Sequence, residues 1–252
     1  ANGSCTEMIT IESTDNYGLA ATINKTGYDT LIVSSVNLMN VTSTSTAPKY
    51  NLAENSTVNY TTTGWDTTDI GLGTVFYWIN GSGEWKDIAH WESPLGIAAT
   101  CLPSIRDTVY FNASSFILNE DSVLVNSDAY FSHMNWAGSE IWNPKLHLIK
   151  NLHCRDNILF NTSMQVDNSN PNAQIKFIPE NNNCVFTTFE TPINTNITLS
   201  GLVLTDTLTL NGDLKLNDDN SLFIAAGTFD TNSDSIHAGT LKSLGNQPNL
   251  VL

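Results

Sequence analysis

The chain has 252 residues, of which 40% are hydrophobic and 14% charged, enough apolar content for a sizeable core and too much for a disordered chain. Ten basic residues against 25 acidic ones give a formal net charge of −15, which argues against nucleic acid as a partner, because neutralising phosphates needs clusters of Lys and Arg. No run of about 18 apolar residues is present to span a membrane, and no basic stretch followed by an apolar one opens the chain as a secretion signal.

Asn, Thr and Ser supply most of the polarity, and no amphipathic stretch of helical period is found. Short alternating runs dominate, such as Met8-Ile9-Thr10-Ile11, Thr30-Leu31-Ile32-Val33 and Thr108-Val109-Tyr110-Phe111. These runs predict an all-β fold. Residues 1–73 read as a smaller β-rich, sandwich-like segment of several short strands, or as the end of a preceding domain. Within it, residues 40–48 are polar enough to predict a loop or linker.

The texture changes at Thr74. Phe76, Tyr77, Trp78, Trp85 and Trp91 fall in one short span, with Asn80-Gly81-Ser82-Gly83 as a turn. Two readings compete. Buried, the rings would cap a β-solenoid, whose open end must be covered. Exposed in a row, Trp85, Trp91, Trp136 and Trp142 would form a platform for stacking sugars. The cap is favoured, since Trp at strand spacing is usually core.

From Ile197 onward apolar residues alternate in pairs, among them Leu202/Leu204, Leu208/Leu210, Leu214/Leu216 and Leu222/Ile224, with turn residues between. Equivalent positions recur after about twenty residues. Leu202 maps onto Leu222 and Leu241, Leu208 onto Phe229, and Leu214 onto Ile236. Three short strands per coil predict a parallel β-helix over residues 74–252.

The four cysteines, Cys5, Cys101, Cys154 and Cys184, allow three pairings, and none completes a zinc spacing with the histidines. Cys154 and Cys184 lie one or two coils apart, which makes them the preferred disulfide. No calcium loop is present, and no cofactor or metal is expected.

Several ordered motifs resemble those of a β-solenoid module of large secreted Bacteroidota surface proteins. They are Tyr77-Trp78-Ile79-Asn80-Gly81-Ser82-Gly83-Glu84-Trp85-Lys86-Asp87 with His90-Trp91, then Cys101-Leu102-Pro103-Ser104-Ile105-Arg106-Asp107-Thr108-Val109-Tyr110-Phe111, then Ser115-Phe116. His133-Met134-Asn135-Trp136-Ala137-Gly138 and Gly227-Thr228-Phe229-Asp230-Thr231-Asn232 complete the set, so the resemblance runs from residue 75 to about 245. Asn112 and Phe131 depart from it, standing where Asp and Cys are usual.

The resemblance implies a substrate of type IX secretion, of the kind that includes gliding-motility adhesins. Such a protein is extracellular and held at the outer membrane by its attachment machinery. Its partners would be neighbouring domains of the same long chain and a surface polysaccharide or an abiotic surface. The resemblance also implies O-glycosylation of Asp-Ser/Thr-apolar tripeptides, found here at Thr30, Thr108, Ser122, Thr207 and Ser235. The expected function is therefore a structural or adhesive cell-surface module without catalytic residues. The rivals are a carbohydrate-binding module and a polysaccharide-degrading β-helix enzyme, which would need grouped carboxylates.

Overall fold

A computed structural model describes residues 9–13, 21–23, 31–33, 36–43, 50–52, 57–59, 65–66, 73–179, 183–201, 205–243 and 248–251. The chain divides into two compact units, Ala1–Leu72 and Gly73–Leu252.

In the first unit every described strand pairing is parallel. Ile9–Glu12, Val36–Met39 and Thr57–Asn59 form one ladder. Ala21–Ile23 and Val41–Ser43 form a second, and Leu31–Val33, Tyr50–Leu52 and Trp65–Asp66 a third. A sandwich pairs antiparallel neighbours, so the sandwich-like expectation gives way to short stacked coils with three strands each. Val33, Val36 and Leu38 are the centre of a small core flanked by Ile11 and Trp65. The loop predicted over residues 40–48 is corrected at its start: Val41–Ser43 is a strand, because Val41 and Ser43 point inward and are buried.

The second unit is a parallel β-solenoid, with three segments per coil as the alternation predicts. The first face is a ladder of seven parallel strands: Gly83–Glu84, Ser122–Val125, Lys145–Leu148, Gln165–Asn168, Pro192–Ile193, Leu214–Leu216 and Ile236–His237. The second and third faces belong to one larger sheet. In the strand Leu152–Leu159, Leu152, His153 and Cys154 lie beside Ile175, Lys176 and Phe177. Farther along the same strand, Ile158 and Leu159 lie beside Phe186 and Thr187. The bend between the faces shows as a register shift between Phe131 and His133. A bulge of this kind turns a strand without ending it.

Three of the four equivalences read from the tail are realised in the structure. Leu208 lies beside Phe229, Leu214 beside Ile236, and Leu222 beside Leu241. Leu202, which maps onto Leu222 in the sequence, lies outside the described residues. The neighbour of Leu222 on the preceding coil is Ile197, which corrects the equivalence of Leu202 with Leu222: this coil takes 25 residues, more than the twenty or so that the spacing suggests. Coil length therefore varies, and loops at the corners absorb the difference while the ladders stay in step.

Along most strands every second residue points into the coil, as the pleat requires, for example in Ser122–Val125, Lys145–Leu148 and Gln174–Phe177. Val109, Met134, Ile158 and Phe186 succeed one another on the third face, and all are buried. Leu146, Leu148, Leu152, Ile175, Ile197 and Leu222 continue the same core. Each inward side chain meets its counterparts one coil before and after it, so the core is continuous along the stack.

The start of this unit is closed by aromatic rings. Trp91–Glu92 runs antiparallel to Val75–Trp78 at the edge of the larger sheet. Trp91 meets Trp78 and Trp85 edge to face, at centroid distances of 5.0 and 4.9 Å. Phe111 then stacks on Trp136 at 4.0 Å. The chain enters the first face through Asn80 and Gly81, both with positive φ, 68° and 71°. Two successive residues of that conformation suit Asn-Gly. Here they turn a coil corner, because Gly83–Glu84 pairs with Ser122–Val125 and not with the strand preceding the turn.

Candidate functional site

Three of the four Trp residues weighed as a sugar platform are core. Trp85 is 2% exposed, and Trp91 and Trp136 are 0% exposed. Trp142 is only partly buried, but its Nε1 donates to the Ala113 carbonyl at 2.8 Å and its ring packs against the core. The exposed row needed for stacking is absent because inward pleat positions and the end of the stack both consume large apolar rings. Trp85 and Trp91 belong to the cap, Trp136 is core beneath it, and Trp142 covers a corner.

Cys154 and Cys184 are free thiols, which corrects the preferred pairing. The reason is the register. Cys154 lies on the second face between Phe131 and Phe177, whereas Cys184 lies on the third face beside Leu208. Their sulfurs turn to different backbone carbonyls, Ser132 at 3.4 Å and Arg155 at 3.0 Å. Burial pushes both thiols up, reinforced for Cys154 by Cys184 and for Cys184 by Asp156 and Asp206. High thiol pKa and burial make them inert.

The tripeptide hydroxyls fall at strand starts. Thr108, Ser122 and Thr207 begin strands and are half-buried, and Ser235 is exposed just before Ile236–His237. Thr30 lies outside the described residues. The preceding acids have structural work of their own. Asp107 accepts from the Thr74 amide and hydroxyl at 2.7 and 2.9 Å, and from the Ser104 amide at 2.6 Å. Asp121 accepts from the Ser82 hydroxyl at 2.6 Å and from the amides of Ile117 and Leu118 at 2.8 Å. Burial pushes the Asp121 carboxyl up, but these hydrogen bonds outweigh it and hold the pKa below the usual value. Each of these carboxylates ties one coil to the loop of its neighbour.

The outward side of the third face holds the polar arrangement that sequence reading missed. At the bulge, Ser132 Oγ donates to Asp156 and lies 3.0 Å from His133 Nδ1. In a nucleophilic triad the imidazole stands between hydroxyl and carboxylate. Here the hydroxyl stands in the middle, so the trio braces the bend between coils. Among the described residues no group of three His, Cys, Asp or Glu is placed to hold a metal ion.

Beside this trio is an open cavity of about 410 Å³, bordered by Thr108, Tyr110, His133, Asn135, Asn157, Leu159, Val185 and Thr187. These are the outward residues of four consecutive coils. His133 stands between Thr108 and Asn157 on one ladder, and Asn135 between Tyr110 and Leu159 on the next. Tyr77 precedes Tyr110 on that ladder and stacks on it, with centroids 5.1 Å apart and planes 18° from parallel. The two amides are oriented by the backbone: Asn135 Oδ1 accepts from the Ala137 amide at 2.8 Å, and Asn157 Oδ1 from the Val185 amide at 2.7 Å. Because only the oxygen can accept those bonds, each NH2 remains as a donor. In the sequence these residues are about 25 apart and share no motif; coil length is the signal that would have grouped them.

The fold thus defines a parallel β-solenoid with an aromatic cap and, among the described residues, an outward cavity lined by both apolar and polar side chains. Comparison with protein-family models, characterised proteins and solved structures finds no match for this chain.

Proposed function

We propose that the chain is an extracellular structural and adhesive segment of a large bacterial cell-surface protein, secreted by a type IX route and held at the outer membrane. The observation that carries this reading is the coil stack: its buried side chains form one continuous core from coil to coil, and its outward ladders present hydroxyls, amides and short polar chains. The motifs that resemble the Bacteroidota module fall on joints of this stack. Asp107 ties the loop at Ser104 to Thr74, Gly81 opens the first corner, and Trp136 stacks under the cap. Asn112 serves at the position where Asp is usual, since its Oδ1 accepts from the Ser114 amide at 2.8 Å. Phe131 replaces the usual Cys by filling core against Trp85, at a centroid distance of 6.0 Å.

Turnover of polysaccharide is not part of this proposal. Glycoside cleavage takes two carboxylates across the scissile bond, and the residues bordering the cavity include neither Asp nor Glu. O-glycosylation at the strand-start hydroxyls, with Ser235 the most open of those described, belongs to the same proposal.

The test is antibody labelling of intact producing cells, before and after external protease, with attachment assayed in a strain lacking the protein. The reading expects labelling that protease removes and weakened attachment without the protein. Labelling only after lysis would sink it.

A further inference from the structure

We infer that the cavity on the third face is a binding site for a neutral saccharide, an activity beyond that of a scaffold. Tyr110 offers a flat ring backed by Tyr77, and Leu159 and Val185 add apolar surface. Asn135 and Asn157 border the cavity one coil apart, and because the backbone holds each Oδ1, each leaves its NH2 as a donor. A saccharide presents both matching surfaces: a C–H face that lies against an aromatic ring, and hydroxyls that accept from amide donors. Pre-set donors lose little freedom on binding. The volume, about 410 Å³, is that of a small-ligand cleft.

Charge narrows the ligand further. The residues bordering the cavity include no Lys or Arg, and their single basic group, His133, lies 3.8 Å from the Asp156 carboxylate. With a chain net charge of −15, phosphates, uronates and sulfated glycans are repelled. A neutral glycan is the class that remains. The ladders run along the stack, so successive sugar rings can follow Tyr110, Asn135 and Leu159 from coil to coil.

The test uses the whole chain against neutral gluco-, manno-, galacto- and xylo-oligosaccharides, with oligogalacturonate and an unrelated peptide library as counter-probes. Binding is read by calorimetry and by saturation-transfer NMR. At least one neutral series should bind. Tyr110→Ala should weaken it by about tenfold or more, while Tyr110→Phe, which keeps the ring, stays within about threefold. Val185→Trp fills the cavity from the outward face and should abolish binding with the circular-dichroism spectrum unchanged. This second variant keeps the test decisive if Tyr110→Ala folds poorly. No binding of any neutral series, binding indifferent to Val185→Trp, or preference for the acidic glycan or a peptide overturns the inference. Surface labelling of intact cells does not depend on the cavity, so failure here is distinguishable from failure of the surface reading.

Discussion

His153 shows how much a single residue of this fold can be constrained. It lies on the second face between Tyr130 and Lys176, is 7% exposed, and stacks on the Tyr130 ring. Among the described residues neither of its ring nitrogens has a hydrogen-bond partner. Burial, with the positive charge of Lys176 behind it, lowers its pKa from 6.5 to about 4, against a smaller opposing pull from Asp128. The folded chain therefore holds this imidazole neutral where the unfolded chain protonates it. Stability from this group is full above about pH 6.5 and is lost as pH falls toward 4, by about 1.4 kcal/mol per pH unit and roughly 3 kcal/mol in all. Urea melts across that range should show a steeper acid loss for the wild type than for His153→Phe. Parallel losses in the two proteins would show that His153 titrates normally in the fold.

At the scale of the element, the aromatic cap decides between core and platform. Trp91 is fully buried against Trp78, Trp85 and Phe111. Trp91→Ala should therefore cost about 3–5 kcal/mol and lower the melting temperature by many degrees. Trp142 lies partly exposed over a corner, and Trp142→Ala should cost about 1–2 kcal/mol, mainly the hydrogen bond to Ala113. Neither change touches the third-face cavity, so glycan binding should survive in whatever fraction of each variant remains folded. Equal melting temperatures for Trp91→Ala and wild type would overturn the cap. The elements also show what alternation alone reveals. Leu208, Leu214 and Leu222 found their partners from spacing, because period-two alternation repeated at a near-constant interval leaves few registers. Three-residue strands such as Ala21–Ile23 carry too little pattern to tell parallel from antiparallel pairing.

At the scale of the molecule, each unit can be read only as a stack. Coils in the middle of Gly73–Leu252 are covered on both sides, whereas Thr240–Ser243, on the last described coil, is exposed throughout. Nearest-neighbour stabilisation then predicts graded opening. Hydrogen-exchange mass spectrometry should find Thr240–Ser243 exchanging first and Lys145–Leu148 and Leu152–Leu159 last. Uniform protection along the stack would mean that the coils unfold together.

Composition, alternation and turn residues were sufficient for the all-β class, the solenoid of residues 74–252 and the aromatic cap, because each rests on local periodicity and on the burial that follows from it. The free thiols of Cys154 and Cys184, the parallel pairing within Ala1–Leu72 and the cavity around Tyr110 came from tertiary structure alone. Each depends on which residues one coil sets beside the next. That register shifts with every loop insertion at a corner: Ile197 and Leu222 are neighbours across 25 residues, Leu222 and Leu241 across 19. A period with that much play can identify a coil. Only the folded ladder decides which side chains meet on its outer face.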